Sequence, residues 1–216
     1  MFPVIIPFNK LDIYHKPLYF SCQFQVNMKI AKEYHKDIFC LEGDWEKDLR
    51  IKMSIKSTLD YLNDCFSIKN IHRNCAVREQ FIKYLKASTL KKYSRYSILY
   101  LAFHGDPNSI LFGKDTITLN EISEICENKL TNRIVHFGSC SSLNLDKRIL
   151  KRFINRTNAL CVSGFKKKVD FNQSTVLDIL YFENWQNNKD VRSVERRMNG
   201  EYRGLIRSLG FTMIYI

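Results

Sequence analysis

The chain has 216 residues, and its 34 Lys and Arg against 22 Asp and Glu give a formal net charge of +12. A hydrophobic fraction of 45% and an aromatic fraction of 13% favour a single globular domain over a disordered chain. The sequence contains no apolar run of membrane-span length, and its basic residues are scattered, so composition argues against a membrane protein and against nucleic-acid binding as the main function.

The cysteines and the N-terminus bear on the compartment and on metals. The seven cysteines include no CxxC pair, which argues against a metal site of the common zinc spacings and favours a reduced, cytoplasmic setting. The apolar first residues lack a basic region and a small-residue cleavage site, so we expect no signal peptide.

Strand-like and helix-like segments alternate along the chain. We take residues 1–36 as an N-terminal extension, with one strand over 18–26, and residues 37–185 as the core of a single domain spanning 1–216. In chain order the predicted elements are strand 37–45, helix 49–66, strand 70–77, helix 81–90, strand 98–103, a hairpin over 109–119, helix 121–128 capped by Asn120, strand 133–138, helix 145–153, strand 158–165, helix 174–185, helix 191–205 and edge strand 211–216. This alternation predicts an α/β fold, a three-layer α/β/α sandwich with a mostly parallel central sheet. The phosphate-binding motifs GxGxxG and GxxxxGK[ST] are absent at the expected places, which argues against dinucleotide and P-loop sites.

Two of these strands run into a reactive residue. His104 follows the apolar strand 98–103, and Cys140 follows the apolar strand 133–138. Parallel neighbouring strands present their carboxyl ends at one edge of the sheet, where open α/β sheets place their ligands. We therefore expect the Cys140 thiol and the His104 imidazole to form a nucleophile and general acid–base pair.

Small residues surround the two strand ends. Gly105 has no side chain, so we expect its N–H to act with the Cys140 N–H as the oxyanion donors. The N-terminus of the helix predicted to follow Cys140 would favour the thiolate. The structural alternative is a buried cysteine and a histidine that merely ends a strand. His136 lies in mid-strand and is expected to be a packed core histidine.

The two segments Leu99–Gly105 and Ile134–Cys140 resemble the caspase-like cysteine peptidases, which include caspases, gingipains, clostripain, separase and the CHAT proteins. These proteins have a His-Gly pair at one strand end and a Cys at the next. Thirty-six positions separate His104 from Cys140, fewer than the roughly 50 of caspases. This shorter spacing is similar to that of compact prokaryotic members. The resemblance covers about residues 37–185. It implies a caspase-hemoglobinase-like fold, cleavage of a polypeptide substrate through a thioacyl-enzyme, and no metal or other cofactor.

The resemblance also suggests where specificity arises. The caspase signature QACxG is absent, and Phe137-Gly138-Ser139-Cys140-Ser141 stands there, so caspase-type aspartate specificity is not expected. The pocket for the residue before the scissile bond is usually built near neighbouring strand ends. Candidates here are Glu42, Asp44 and Asp170, which would suit a substrate Lys or Arg. Alternatively, Asp170 caps a helix, and Glu42 and Asp44 are solvated turn residues.

Other hypotheses stay open at this stage. The first alternative is a catalytically inactive caspase-like module with a binding or regulatory role. A flavodoxin-like small-molecule binder or another hydrolase comes next. Family analogy suggests bacterial defence or signalling, activation by a partner protein, or autocleavage in the basic loop 166–168.

Overall fold

Short, mostly apolar segments form a central sheet. They are apolar because helices cover both faces of a mostly parallel sheet. The structure is a computed structural model that describes residues 36–48 and 50–216. Within these residues the strands are β1 (Ile38–Glu42), β2 (Asn70–Asn74), β3 (Ile98–Ala102), β4 (Gly105–Asp106), β5 (Ser109–Phe112), β6 (Asp115–Thr118), β7 (Ile134–Phe137), β8 (Cys161–Phe165) and β9 (Phe211–Ile214). The helices are α1 (Lys56–Phe66), α2 (Arg78–Ser88), α3 (Leu119–Ile125), α4 (Lys147–Thr157), α5 (Phe171–Asn187), α6 (Val191–Glu201) and α7 (Arg203–Leu209), with a 3₁₀ turn at Lys91–Tyr93.

The main sheet has six strands in the order β2-β1-β3-β7-β8-β9. All its neighbours pair in parallel except β9, which lies antiparallel to β8 at one edge. Strands β4, β5 and β6 form a separate antiparallel sheet within the crossover from β3 to β7. The prediction of an α/β fold with a mostly parallel sheet is confirmed, and so are the hairpin and the edge strand.

Each face of the sheet packs against its own apolar cluster. One cluster joins the sheet to α2, α3 and α4 through residues such as Phe81, Ile122 and Leu150. The other joins it to α1, α5 and α6 through residues such as Leu59 and Tyr181. This arrangement is compatible with the predicted three-layer sandwich. Within the described residues, no helix is both long and apolar enough to cross a membrane.

Helix boundaries differ from the prediction where tertiary or capping contacts set them. Helix α1 starts at Lys56 and not at residue 49, and Ile51 lies outside it with an exposed side chain. The N–H of Ile55, at the start of α1, donates to the buried Glu42 carboxylate at 2.6 Å, a contact from β1 that the local sequence pattern does not contain. Residue Tyr202 divides the predicted last helix into α6 and α7.

The prediction that Asn120 caps α3 is wrong. Thr118 is the cap: its Oγ1 accepts from the Glu121 N–H at 3.2 Å, and the Glu121 carboxylate accepts from the Thr118 N–H at 2.8 Å. This reciprocal pair is a capping box, which a Thr-x-x-Glu sequence can form. The predicted N-terminal strand over 18–26 lies outside the described residues, so the single domain across 1–216 stays a prediction.

Candidate active site

Strands β3 and β7 are adjacent and parallel, as predicted. Leu101 pairs with Phe137, and the Gly138 N–H donates to the Leu101 carbonyl at 2.9 Å, which extends the ladder one step beyond the strands. His104 and Cys140 each lie three residues after that last pair. The sheet therefore delivers both residues to the same edge at the same level.

The two strand ends also touch. A Cβ atom added to Gly105 would lie 2.7 Å from the Cys140 carbonyl oxygen and 2.9 Å from Ser139 Cβ. A Cβ at Gly138 would lie 2.5 Å from a ring carbon of Tyr100. Contacts this short exclude any side chain without movement of the neighbours. Glycine is therefore what allows the ends of β3 and β7 to approach.

The His104 ring is exposed and is held from the end of β1. Its Nε2 lies 2.7 Å from the Trp45 carbonyl oxygen, and the Trp45 ring packs edge-on against the imidazole at 5.3 Å. A carbonyl oxygen only accepts, so Nε2 carries the hydrogen, and the lone pair of the neutral imidazole lies on Nδ1. Nδ1 is therefore the atom that can take a proton.

The Cys140 thiol is half-buried and lies against a loop. The Val169 N–H donates to Cys140 Sγ at 3.4 Å, and Sγ lies 3.5 Å from the Val169 carbonyl oxygen. Residues after Cys140 form a turn, and α4 starts only at Lys147, capped by Asp146. The prediction that a following helix N-terminus stabilises the thiolate is therefore wrong, because the helix dipole acts within its first turn.

Cys140 differs from the other described cysteines in its exposure. Burial raises the pKa of Cys75, Cys126 and Cys161 to about 12. Burial also raises the pKa of Cys40 well above its ordinary value, so all four thiols stay protonated at neutral pH. Cys65 is exposed on α1. Cys140 alone among the described cysteines combines partial exposure with a place at the carboxyl edge of the sheet.

Residues 166–170, here called the strap, join β8 to α5 and cross the Cys140 turn. The Ser141 N–H donates to the Lys167 carbonyl at 2.9 Å. The Lys167 ammonium in turn donates to the Arg207 carbonyl at 2.9 Å and to the Ser208 carbonyl at 3.3 Å, at the end of α7. The strap is thus tied to the Cys140 turn on one side and to α7 on the other.

The expected oxyanion donors have N–H groups that the structure leaves available. Gly105 pairs with Ile110 across the antiparallel β4–β5 ladder, and the bond next to this pair runs from the Leu111 N–H to the His104 carbonyl at 2.9 Å. In an antiparallel ladder this pattern marks a non-hydrogen-bonded pair, so the Gly105 N–H points away from β5. The Cys140 N–H has no acceptor among the described residues.

Glu42 is buried at the carboxyl end of β1. The residue is 1% exposed. Its carboxylate accepts four hydrogen bonds, from Trp45 Nε1 at 2.6 Å, Ile55 N at 2.6 Å, Ser54 Oγ at 2.7 Å and His72 Nε2 at 2.6 Å. Burial raises its pKa, but these bonds, the one from His72 first, bring the pKa below its ordinary 4.5. The interpretation of Glu42 as a solvated turn residue is therefore wrong. Glu42 is among the residues that line a cavity at the end of β1, so its role as a substrate contact stays a prediction.

The two other candidate acids are exposed. Asp170 caps α5, with its Oδ1 accepting from the Gln173 N–H at 3.0 Å, which confirms the capping alternative. Asp44 follows β1 and accepts a long hydrogen bond of 3.4 Å from Asn74. Asp44 is thus the candidate whose carboxylate remains open to a bound side chain.

A buried polar network that sequence reasoning missed lies beneath the site. His136 is fully buried, as predicted, and contacts Ser163 Oγ through Nδ1 at 2.9 Å and Asp178 through Nε2 at 2.8 Å. The Tyr100 hydroxyl donates to the same carboxylate at 2.6 Å. The signal in the sequence that could have revealed this network is Asp178, an acidic residue between Leu177 and Ile179.

Fold and site together define an α/β protein with a thiol and an imidazole at the carboxyl edge of a parallel sheet. The chain belongs to the DUF6642 family, a family of unknown function whose sequence profile matches residues 35–215. A comparison with curated proteins gives no match. In the described part of the chain, no group of three or more His, Cys, Asp or Glu side chains is placed to hold a metal ion.

Proposed function

We propose that this protein is a cysteine endopeptidase of the caspase-like type, with Cys140 as nucleophile and His104 as general acid and base. The observation that carries the proposal is the contact between the ends of β3 and β7, where Gly105 packs on the Cys140 backbone. A caspase-hemoglobinase-like fold is part of the same proposal. The substrate would be a polypeptide, and no cofactor is required for the chemistry.

The arrangement supports a two-step acyl transfer. His104 Nδ1 takes the Cys140 proton, and the thiolate attacks the peptide carbonyl carbon. The N–H groups of Gly105 and Cys140 stabilise the resulting oxyanion in this proposal. His104 then protonates the leaving amine as the C–N bond breaks, which leaves a thioacyl-enzyme. Water, deprotonated by His104, hydrolyses the thioester and restores the thiol.

Substrate preference is proposed from the end of β1. A cavity of about 180 Å³ there is lined by Asp44, Glu46 and Asp48, among others. A Lys or Arg side chain entering it would gain charge-assisted contacts with Asp44. Asp44→Asn is then expected to lower cleavage after basic residues relative to apolar ones in a peptide library, and cleavage only after apolar residues by the unmodified protein would contradict this preference.

The central test compares cysteines within one protein. Incubation with a mixed peptide library is expected to give products with the wild type and with Cys65→Ala, and none with Cys140→Ala or His104→Ala. Iodoacetamide is expected to alkylate Cys140 faster than the exposed Cys65, and His104→Ala to slow only the former. Equal labelling rates, unaffected by His104→Ala, would contradict the proposal.

One observation favours the catalytically inactive binding module as a second candidate. The strap backbone contacts the thiol through Val169 and so limits the access of a substrate to Cys140 Sγ. A wild-type protein that cleaves no peptide and labels Cys140 no faster than Cys65 would support this candidate. The setting proposed in either case is the reducing cytoplasm, in keeping with the six described cysteines, all unpaired.

A further inference from the structure

We propose that Glu42 is a positioning residue that acts on His104 through Trp45. This inference rests on the proposed peptidase function and assigns an internal carboxylate to the same site. Its basis is a chain of two hydrogen bonds, from the Trp45 indole to the Glu42 carboxylate and from the His104 imidazole to the Trp45 carbonyl.

Glu42 is the fixed end of this chain. Its backbone is paired on both sides, with Asn74 of β2 and Ala102 of β3. The Cys75 N–H donates to the Glu42 carbonyl at 2.7 Å, immediately after the β1–β2 ladder ends. The carboxylate is therefore held by the sheet itself, and His72 holds its second oxygen at 2.6 Å.

Trp45 is the link between Glu42 and His104. It lies beyond β1, outside any helix or strand. Its Nε1 donates to Glu42 at 2.6 Å, and its ring packs edge-on between the rings of His104, at 5.3 Å, and Phe171, at 5.0 Å. Because the Trp45 backbone belongs to no helix or strand, the side-chain hydrogen bond to Glu42 helps to fix the carbonyl that binds His104.

The carbonyl decides which imidazole nitrogen faces the reaction. While Trp45 holds Nε2–H, the basic lone pair of the neutral His104 imidazole lies on Nδ1, the nitrogen that the Trp45 carbonyl does not bind. Loss of that hydrogen bond allows the ring to rotate and to exchange its tautomer. Small displacements of a reacting group lower rates strongly, so a loss on the order of tenfold or more is expected.

The experiment removes the indole donor and keeps an aromatic side chain. In Trp45→Phe a smaller aromatic ring remains but the N–H is gone. Tyr215→Phe is the matched control, because it also deletes one aromatic donor to a carboxylate, the 2.6 Å bond to Glu195 far from the site. The readout is the pH profile of Cys140 alkylation by iodoacetamide, with the urea midpoint recorded for each variant.

Trp45→Phe is expected to slow Cys140 alkylation and to reshape its pH profile as His104→Ala does, whereas Tyr215→Phe keeps the wild-type profile. Glu42→Gln, which retains an oxygen acceptor for Trp45, is expected to be faster than Glu42→Leu. Equal profiles for Trp45→Phe and Tyr215→Phe would overturn the inference. If instead wild-type Cys140 reacts no faster than Cys65, the peptidase proposal itself fails.

Discussion

Replacement of Gly105 by alanine tests the contact on which the site depends. The added methyl group would lie 2.7 Å from the Cys140 carbonyl oxygen and 2.9 Å from Ser139 Cβ. Ordinary contacts between such atoms are about 3.5–4.0 Å, so each neighbour would have to retreat by roughly an ångström. One of them is backbone at the nucleophile itself and cannot rotate away.

The magnitude follows from the cost of overpacking. Inserting a methyl group into a well-packed region destabilises a protein by about 1–3 kcal/mol. Gly200 offers the opposite case, because a Cβ there meets no heavy atom within 4 Å and the residue lies in α6. Alanine in a helix is favoured over glycine by about 0.5–1 kcal/mol. The two Gly→Ala variants are therefore expected to change stability with opposite signs.

Urea denaturation measures both changes, and iodoacetamide labelling reports on the nucleophile. Gly105→Ala is expected to lower the free energy of unfolding and to slow Cys140 alkylation, while Gly200→Ala raises the free energy and leaves alkylation unchanged. A Gly105→Ala protein as stable and as reactive as the wild type would mean that the ends of β3 and β7 do not meet as described.

Three further perturbations address the surroundings of the site. Tyr100→Phe deletes a hydrogen bond to a buried carboxylate and is expected to lower the free energy of unfolding by about 1.5–3 kcal/mol. Because folding lowers the pKa of Glu42, its carboxylate stabilises the folded protein fully above the ordinary pKa of 4.5. This stabilisation is lost as the pH falls through the lower pKa of the folded state. Between about pH 6 and about pH 3 the melting temperature of Glu42→Gln is therefore expected to fall less than that of the wild type. Lys167→Met removes the tie between strap and α7 and is expected to speed alkylation of Cys140, whereas Lys168→Met is not.

Local patterns predicted most elements because burial imposes them. Apolar runs of four to six residues marked the strands of the main sheet other than the mostly polar β2, and spacings of three and four marked the helices. The errors arose at boundaries. The Thr118 cap corresponds to a Thr-x-x-Glu pattern that the sequence contains. The start of α1 has no such local pattern, because the Glu42 carboxylate that binds the Ile55 N–H comes from β1.

The site itself divides in the same way. The sequence by itself determined that His104 and Cys140 follow two apolar strands. The crossover between these strands implied that they are parallel neighbours, because the handedness of sheets and the shortness of connections allow few other arrangements. Only the tertiary structure decided which groups hold them. The Glu42 carboxylate meets His72 from 30 residues away, and the Cys140 thiol meets the Val169 N–H from 29 residues away. Such partners depend on where loops fold back over the sheet edge, and no residue spacing along the chain encodes that.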